Sequence, residues 1–101
     1  MAAKIIWAPS GLDDLGSAVA NIAADNLRAA VAFGQAVIDR THQLSAFTDS
    51  GRFFANSVAG EIRETVLGKY RLLYRVSTDK KVVTILRIWH GARGHPEIPG
   101  S

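Results

Sequence analysis

Cysteine is absent from the 101 residues. Its absence excludes a disulfide framework, a thiolate nucleophile and a Cys-ligated zinc site. No uninterrupted apolar run approaches the ~20 residues of a membrane span. Lys4 followed by Ile5-Ile6-Trp7 falls short of a signal peptide's apolar segment, so a cytoplasmic domain is expected. The chain has no Gly-rich phosphate loop, no Gly-x-Ser-x-Gly and no paired acidic motif. His42, His90 and His95 are too dispersed to suggest a metal site, and no cofactor is expected. Repeats and linkers are missing too, so residues 1–101 read as a single domain. What is present is globular: 48% hydrophobic residues and 21% charged.

The formal charge of +3 is unevenly placed. Residues 1–50 carry 3 basic against 5 acidic side chains, and residues 51–101 carry 9 against 4. The basic half can attract phosphates or an acidic protein partner.

Residues 4–8 mix β-branched and aromatic side chains and read as a strand ending before Pro9. Ser10 is the expected cap of a following helix, with Asp13 and Asp14 in its first turn. Leu12, Leu15, Val19 and Ile22 mark one helical face. After a break at Asp25-Asn26, either of which can cap, a second helix carries an apolar stripe from Leu27 to Phe47. The short break predicts an αα-hairpin. Residues 48–60 are rich in turn formers and read as a loop, anchored to the core by Phe53 and Phe54. The period then changes to two, giving strands over 61–67, 70–76 and 81–89 with short turns between them. The tail from Gly91, with its Gly and Pro, is expected to be irregular or frayed. The fold class is therefore α+β: an N-terminal strand and αα-hairpin packed on a small antiparallel sheet, in the order β-α-α-β-β-β. The place of the first strand, beside the last or between others, is left open by the pattern.

Alternation within the three late strands predicts that Arg63, Arg71, Arg75 and Arg87 project from the sheet face away from the helices. Four guanidinium groups there would form an anion-binding surface. Arg stems can equally cover Leu73 and Ile85 while their heads stay in water. Glu64 falls on the opposite parity, so it must sit at an edge, pair with a cation or mark a register error. Directly after the last strand, Trp89-His90-Gly91-Ala92-Arg93 places a His beside an Arg. Such a pair can move a proton and stabilise charge in phosphate chemistry.

In order and spacing these pieces resemble the RelE/ParE superfamily of toxins from type II toxin–antitoxin modules, over nearly the whole chain. Trp7-Ala8-Pro9 with Leu12-x-Asp14-Leu15 is similar to the family's strand-to-helix passage. Ala29-Ala30 to Leu44 with Gly51-Arg52 resembles its second helix and following loop. Ile62-Arg63-Glu64, Tyr70 to Val76 and Ile85 to Arg93 look like its C-terminal meander.

The resemblance implies a growth-inhibiting toxin, of the plasmid-stabilising kind, neutralised by a cognate antitoxin. Leu12, Leu15, Arg71 and Arg75 would meet that antitoxin. ParE-like members poison DNA gyrase, whereas RelE-like members cut mRNA on the ribosome. The long αα-hairpin, the Arg63-Glu64 pair and the absence of Lys from 61–67 favour the ParE-like branch. In that case Arg63, Arg71, Arg75, Arg87, Trp89 and Arg93 would meet the target, with no catalytic residue. Arg71 also matches the position of a phosphate-contacting Arg in the nuclease branch, and His90 lies near the place where some of its members keep a catalytic His. That reading implies a metal-free attack of a 2′-OH on the neighbouring phosphate. His90 would be the general acid or base, Glu64 a lesser candidate, and Arg63, Arg71 and Arg93 would hold the phosphate. A homodimer or a toxin–antitoxin hetero-oligomer is compatible with either branch, and no membrane partner is expected. A non-toxic, partner-binding relative is the third reading.

Overall fold

Pro9 sets the boundary between the first two elements. The computed structural model describes residues 2–98. Strand β1 (Lys4–Trp7) ends at extended Ala8, and Pro9 opens helix α1 (Pro9–Asp25). A proline at the first helical position has its φ preset and lacks an N–H that would be orphaned there anyway. The expected cap moves as a result. Ser10 is already inside the helix, Ala8 stands at the N-cap without a side-chain bond, and the Ser10 hydroxyl donates to the Leu86 carbonyl at 2.7 Å. Asp13 and Asp14 correspondingly lie beyond the first turn. Gly11 lets the helix press against the sheet, because a Cβ there would sit 2.5 Å from the Ile85 carbonyl oxygen.

Asn26 alone separates α1 from α2 (Leu27–Ala46). It adopts an extended conformation, its N–H donates to Ile22 O, and its side chain accepts from Ala29 N at 3.1 Å. One residue thus closes the first helix and caps the second, giving the expected αα-hairpin. Helix α2 buries Ala30, Val37, Thr41 and Leu44, while Leu27, Val31 and Ile38 face outward at 71%, 67% and 50% exposure. The apolar positions read as one stripe are therefore two.

The remaining strands are β2 (Arg52–Ser57), β3 (Gly60–Leu67), β4 (Tyr70–Ser77) and β5 (Val82–His90), followed by a 3-10 turn at Gly91–Arg93. They form a 5-stranded sheet in the order β1-β5-β4-β3-β2. β1 lies at the edge, parallel to β5, and the other pairs are antiparallel. The α+β class stands, with one more strand than expected. β2 falls in the segment read as a loop. Turn formers flank it, and a register shift between Phe53 and Ala55 breaks its alternation, so no period of two shows. Gly60 holds a φ of 141°, which closes the β2–β3 hairpin.

The main core lies between sheet and helices, around Val37, Leu44, Leu72, Tyr74, Val83 and Ile85. A second cluster, Ile62, Leu73 and Leu86, occupies the other sheet face under Phe54, Ala55, Ala8 and Ile98. That face was expected to stand open. Instead the C-terminal segment crosses it, with Pro96 buried and Ile98 packed into the cluster. The segment is irregular but pinned as far as Ile98. The frayed-tail expectation for residues 99–101 lies outside the described residues. Among those described, no helix is long and apolar enough to cross a membrane.

Candidate functional site

Strand register decides which side chains share a face, because cross-strand partners point the same way. Arg71 pairs with Trp89 and Val66, Leu73 with Arg87 and Glu64, and Arg75 with Thr84 and Ile62. Arg71, Arg75, Arg87 and Trp89 therefore lie on the outer face, away from the helices. Arg63 does not join them. It pairs with Tyr74, whose side chain is in the main core, so Arg63 lies on the helix side of β3. Ile62 had been assigned to the helices on hydrophobicity alone, whereas it serves the second cluster. A second departure comes from the bulge in β5 opposite Leu73 and Tyr74. Strict alternation puts Val83 and Ile85 on the face of Arg87 and Trp89. The bulge turns the first two toward the helices and leaves the last two outside.

Most outer-face cations are held inside the fold. Glu64, only 5% exposed, accepts from Arg52 Nη2 at 2.6 Å and Arg71 Nη1 at 3.3 Å. Its anomalous parity thus marks both a cation pair and a register error, and the face carries an acid after all. Arg71 also donates to the Gly94 carbonyl at 2.9 Å. Arg87 binds Asp14 and the Glu97 carbonyl. Trp89 donates its indole N–H to Gly94 O, with the Arg87 guanidinium 4.6 Å from its ring and that of Arg93 at 5.8 Å. Arg75, among the described residues, has no polar partner and is the outer-face Arg left to a ligand. On the helix side, Arg63 ties the 49–51 loop to β3 through Gly51 O at 2.7 Å and pairs with Glu61.

His90 occupies different surroundings. It pairs with Tyr70 in the β4–β5 ladder, on the helix side, and its ring meets the Tyr70 ring edge-on at 5.1 Å. Its Nδ1 accepts from the Ala92 N–H at 3.1 Å and thereby caps the 3-10 turn. With Arg93 it lines a cleft of about 230 Å³ against α1, where Asp14, Ser17, Asn21 and Tyr70 complete the wall. The structure thus brings His90 and Arg93 to one cleft, which neither Arg71 nor Arg63 lines. Arg71 is on the opposite face. Arg63 is offset from His90 by the spacing of Tyr70 and Tyr74, about 13 Å along the strands at ~3.3 Å per residue.

Of the hairpin candidates, Leu12 is exposed and Leu15 packs against the main core. Sequence reading passed over Ser17 and Asn21. Their signal was available: Asp14, Ser17 and Asn21 sit at i, i+3 and i+7, a polar stripe beside the apolar one. Tyr70 and Arg52 stand out in the sequence only as parts of the longer segments that carry the resemblance. Among the described residues no group of His, Asp and Glu could hold a metal ion.

Solved structures that share this architecture include chains of ParDE, RelBE2 and RelE–RelB systems. The chromosomal ParDE system of Pseudomonas aeruginosa contains a chain that superposes with a TM-score of 0.68 at 20% identity, covering 87% of this chain and 95% of that one. The RelBE2 toxin–antitoxin complex of Mycobacterium tuberculosis gives 0.62 at 24% identity, covering 89% and 99%. The archaeal RelE–RelB complex of Pyrococcus horikoshii gives 0.53 at 18%, covering 93% and 100%. At these identities the likeness is one of fold. No curated protein matches the sequence. Residues 5–94 match the family described as ParE toxin of type II toxin-antitoxin system, parDE. The match takes in both helices and all five strands, and the chain belongs to the ParE toxin family of type II toxin–antitoxin systems.

Proposed function

We propose that the chain is a cytoplasmic growth inhibitor that poisons DNA gyrase and is neutralised by a cognate antitoxin. The observation that carries this choice of target is the dispersal of the nuclease candidates. General acid–base chemistry needs its groups within hydrogen-bond reach of one reacting centre. His90 and Arg71 instead lie on opposite faces of the sheet, Arg63 is set four positions further along the strands from His90, and both arginines are engaged within the fold. A protein poison needs a binding surface rather than a catalytic cluster. Arg75 and Arg93, the latter over the Trp89 ring, supply a charged and aromatic one. Membership of the ParE family supports the same target.

The alternative, ribosome-dependent mRNA cleavage, draws on the shared cleft of His90 and Arg93. Induced expression without antitoxin separates the two. Gyrase poisoning gives growth arrest with an SOS response and broken DNA, and the purified protein inhibits supercoiling. Cleaved mRNA and halted translation without SOS would replace gyrase with the ribosome. Unchanged growth would remove both targets. The antitoxin is expected to seat on the outward Leu27, Val31 and Ile38 of α2 and on exposed Leu12, where burial of apolar surface drives association.

A further inference from the structure

We infer that the outer sheet face carries a groove for an extended peptide. Residues 94–98 fill it in the free protein, and a partner protein's segment of the same chemistry fills it in exchange. The inference goes beyond the choice of target and holds for either one.

The groove's donors are set by the sheet and α1, not by the occupant. Arg71 donates through Nη1 to Glu64 at 3.3 Å and through Nη2 to the Gly94 carbonyl at 2.9 Å. Arg87 uses Nε and Nη2 on Asp14 and turns Nη1 to the Glu97 carbonyl at 2.8 Å. The Trp89 indole N–H adds a second bond to Gly94 O, at 2.9 Å, and the Arg87 guanidinium lies 4.6 Å from the Trp89 ring. Glu64 and Asp14 therefore hold both guanidinium groups in place with or without the 94–98 strap, which is pre-organisation for a ligand. The same carboxylates offset the two charges, so these donors suit neutral peptide carbonyls better than phosphates. Beside the gripped carbonyls, Pro96 is buried and Ile98 packs on Ile62, Leu73 and Leu86.

A segment held in this way is separable from the sheet. Among the described residues, residues 95–97 make no backbone–backbone hydrogen bond, so the strap does not extend the ladder. His95 and Glu97 are exposed, and the His95 ring stands 6.4 Å from that of Phe54. Phe54, Ala55 and Ala8 also cover the second cluster, so the strap is not its only shield. What the groove reads is thus two main-chain carbonyls and two apolar side chains. Main-chain bonds give affinity for any extended segment, and pockets for alternate side chains give specificity. The matching partner segment is extended and carries a proline with an aliphatic residue two positions after it, as Pro96 and Ile98 do. The position between them faces solvent and is unconstrained.

The probe is an end-blocked peptide of residues 91–98, titrated into the isotope-labelled full chain and followed by NMR. The Trp89 indole N–H reports the filled groove, and the backbone signals of His95 and Glu97 report the covalent strap. At millimolar peptide, the wild-type His95 and Glu97 signals should move toward their positions in the free peptide while the Trp89 signal stays in place. Ile98→Asp in the full chain should release the strap and shift the Trp89 signal. Peptide should then bind roughly tenfold or more tightly than to the wild type, because a tethered segment competes at an effective concentration in the millimolar range. Bound peptide should return the Trp89 signal to its wild-type position. Pro96→Gly serves as the release variant if Ile98→Asp loses a dispersed backbone spectrum. The inference is overturned if the peptide fails to bind a folded release variant, or if a peptide with Ile98→Asp binds equally well. It is also overturned if a short oligonucleotide moves the strap where the peptide does not, or if both variants unfold, which would make the strap a fixed part of the core. None of these outcomes depends on toxicity, so they leave the gyrase reading untouched.

Discussion

Asp14 of α1 and Arg87 of β5, 73 positions apart in the chain, form a two-point ion pair, with Nε to Oδ2 at 2.7 Å and Nη2 to Oδ1 at 3.2 Å. The same carboxylate takes the Ile88 N–H at 3.0 Å, beside the β5 bulge. One aspartate therefore anchors the helix to the sheet and supports the strand where its alternation fails. Both side chains are mostly shielded from water. Asp14→Ala should cost about 2–4 kcal/mol, since it strands a shielded guanidinium and a strand N–H. Asp14→Asn, which keeps one acceptor, should cost less. Urea denaturation of the three proteins checks the order, and equal midpoints would show that the pair does not brace the fold.

Tyr74 gives the stability a dependence on alkaline pH. Its hydroxyl donates to Thr48 O and accepts from Gly51 N, both at 2.9 Å, beneath the 48–51 loop. Burial pushes its pKa above the ordinary 10.0, against the opposing pull of the Gly51 N–H and the Arg63 charge. A folded-state pKa above the unfolded one means that the native state holds its proton more tightly. The contribution is complete below pH 10 and is lost as pH rises through the folded value. Denaturation midpoints of the wild type should fall from pH 10 upward, and Tyr74→Phe should flatten that part of the curve. The variant should also lose about 1–3 kcal/mol at neutral pH, because Gly51 N–H and Thr48 O lose their partner. An identical alkaline decline in both proteins would assign it elsewhere.

Elements with clean local signals were legible in the sequence. The helical hairpin announced itself through period and through Asn26, and β3 to β5 through alternation and tight turns. Whatever depended on a departure from period was not. The bulges in β2 and β5 shift side chains between faces without changing composition, so the orientation of Arg87 relative to Ile85 could not be counted off. Arg63 was misplaced for a related reason: apolar Ile62 was assumed to face the helices, and no local pattern announces the second core that the C-terminal segment makes beneath Ile98. His90 and Arg93 were rightly noticed together, but their companions Ser17 and Asn21 lie on α1, some 70 positions away, and only tertiary structure brings them close.

Val31 separates partner binding from folding. It lies on the outward stripe of α2 at 67% exposure, so Val31→Asp should lower stability by less than about 1 kcal/mol. In co-expression with the antitoxin, the variant should nevertheless fail to co-purify, because a charge would enter an apolar contact. Leu15→Asp should fail differently, through loss of the fold, since Leu15 packs against the main core. Circular dichroism distinguishes the two failures. Full co-purification of Val31→Asp would move the antitoxin off this face.

His90 tests the choice of target. Its Nδ1 holds the turn that leads to Arg93, so truncation to Ala would remove both a possible acid–base group and a structural cap. His90→Asn avoids that ambiguity. An Asn side chain can still accept from the Ala92 N–H but carries no group able to exchange a proton near neutral pH. If the chain poisons gyrase, His90→Asn should arrest growth as the wild type does and should still induce the SOS response. If it cuts mRNA through His90, arrest should vanish while antitoxin binding persists, with a rate loss of roughly 10²–10⁴ as expected for a missing general acid or base. The two expectations differ by orders of magnitude in the same assay. A His90→Asn protein that folds, binds antitoxin and no longer arrests growth would therefore overturn the gyrase reading.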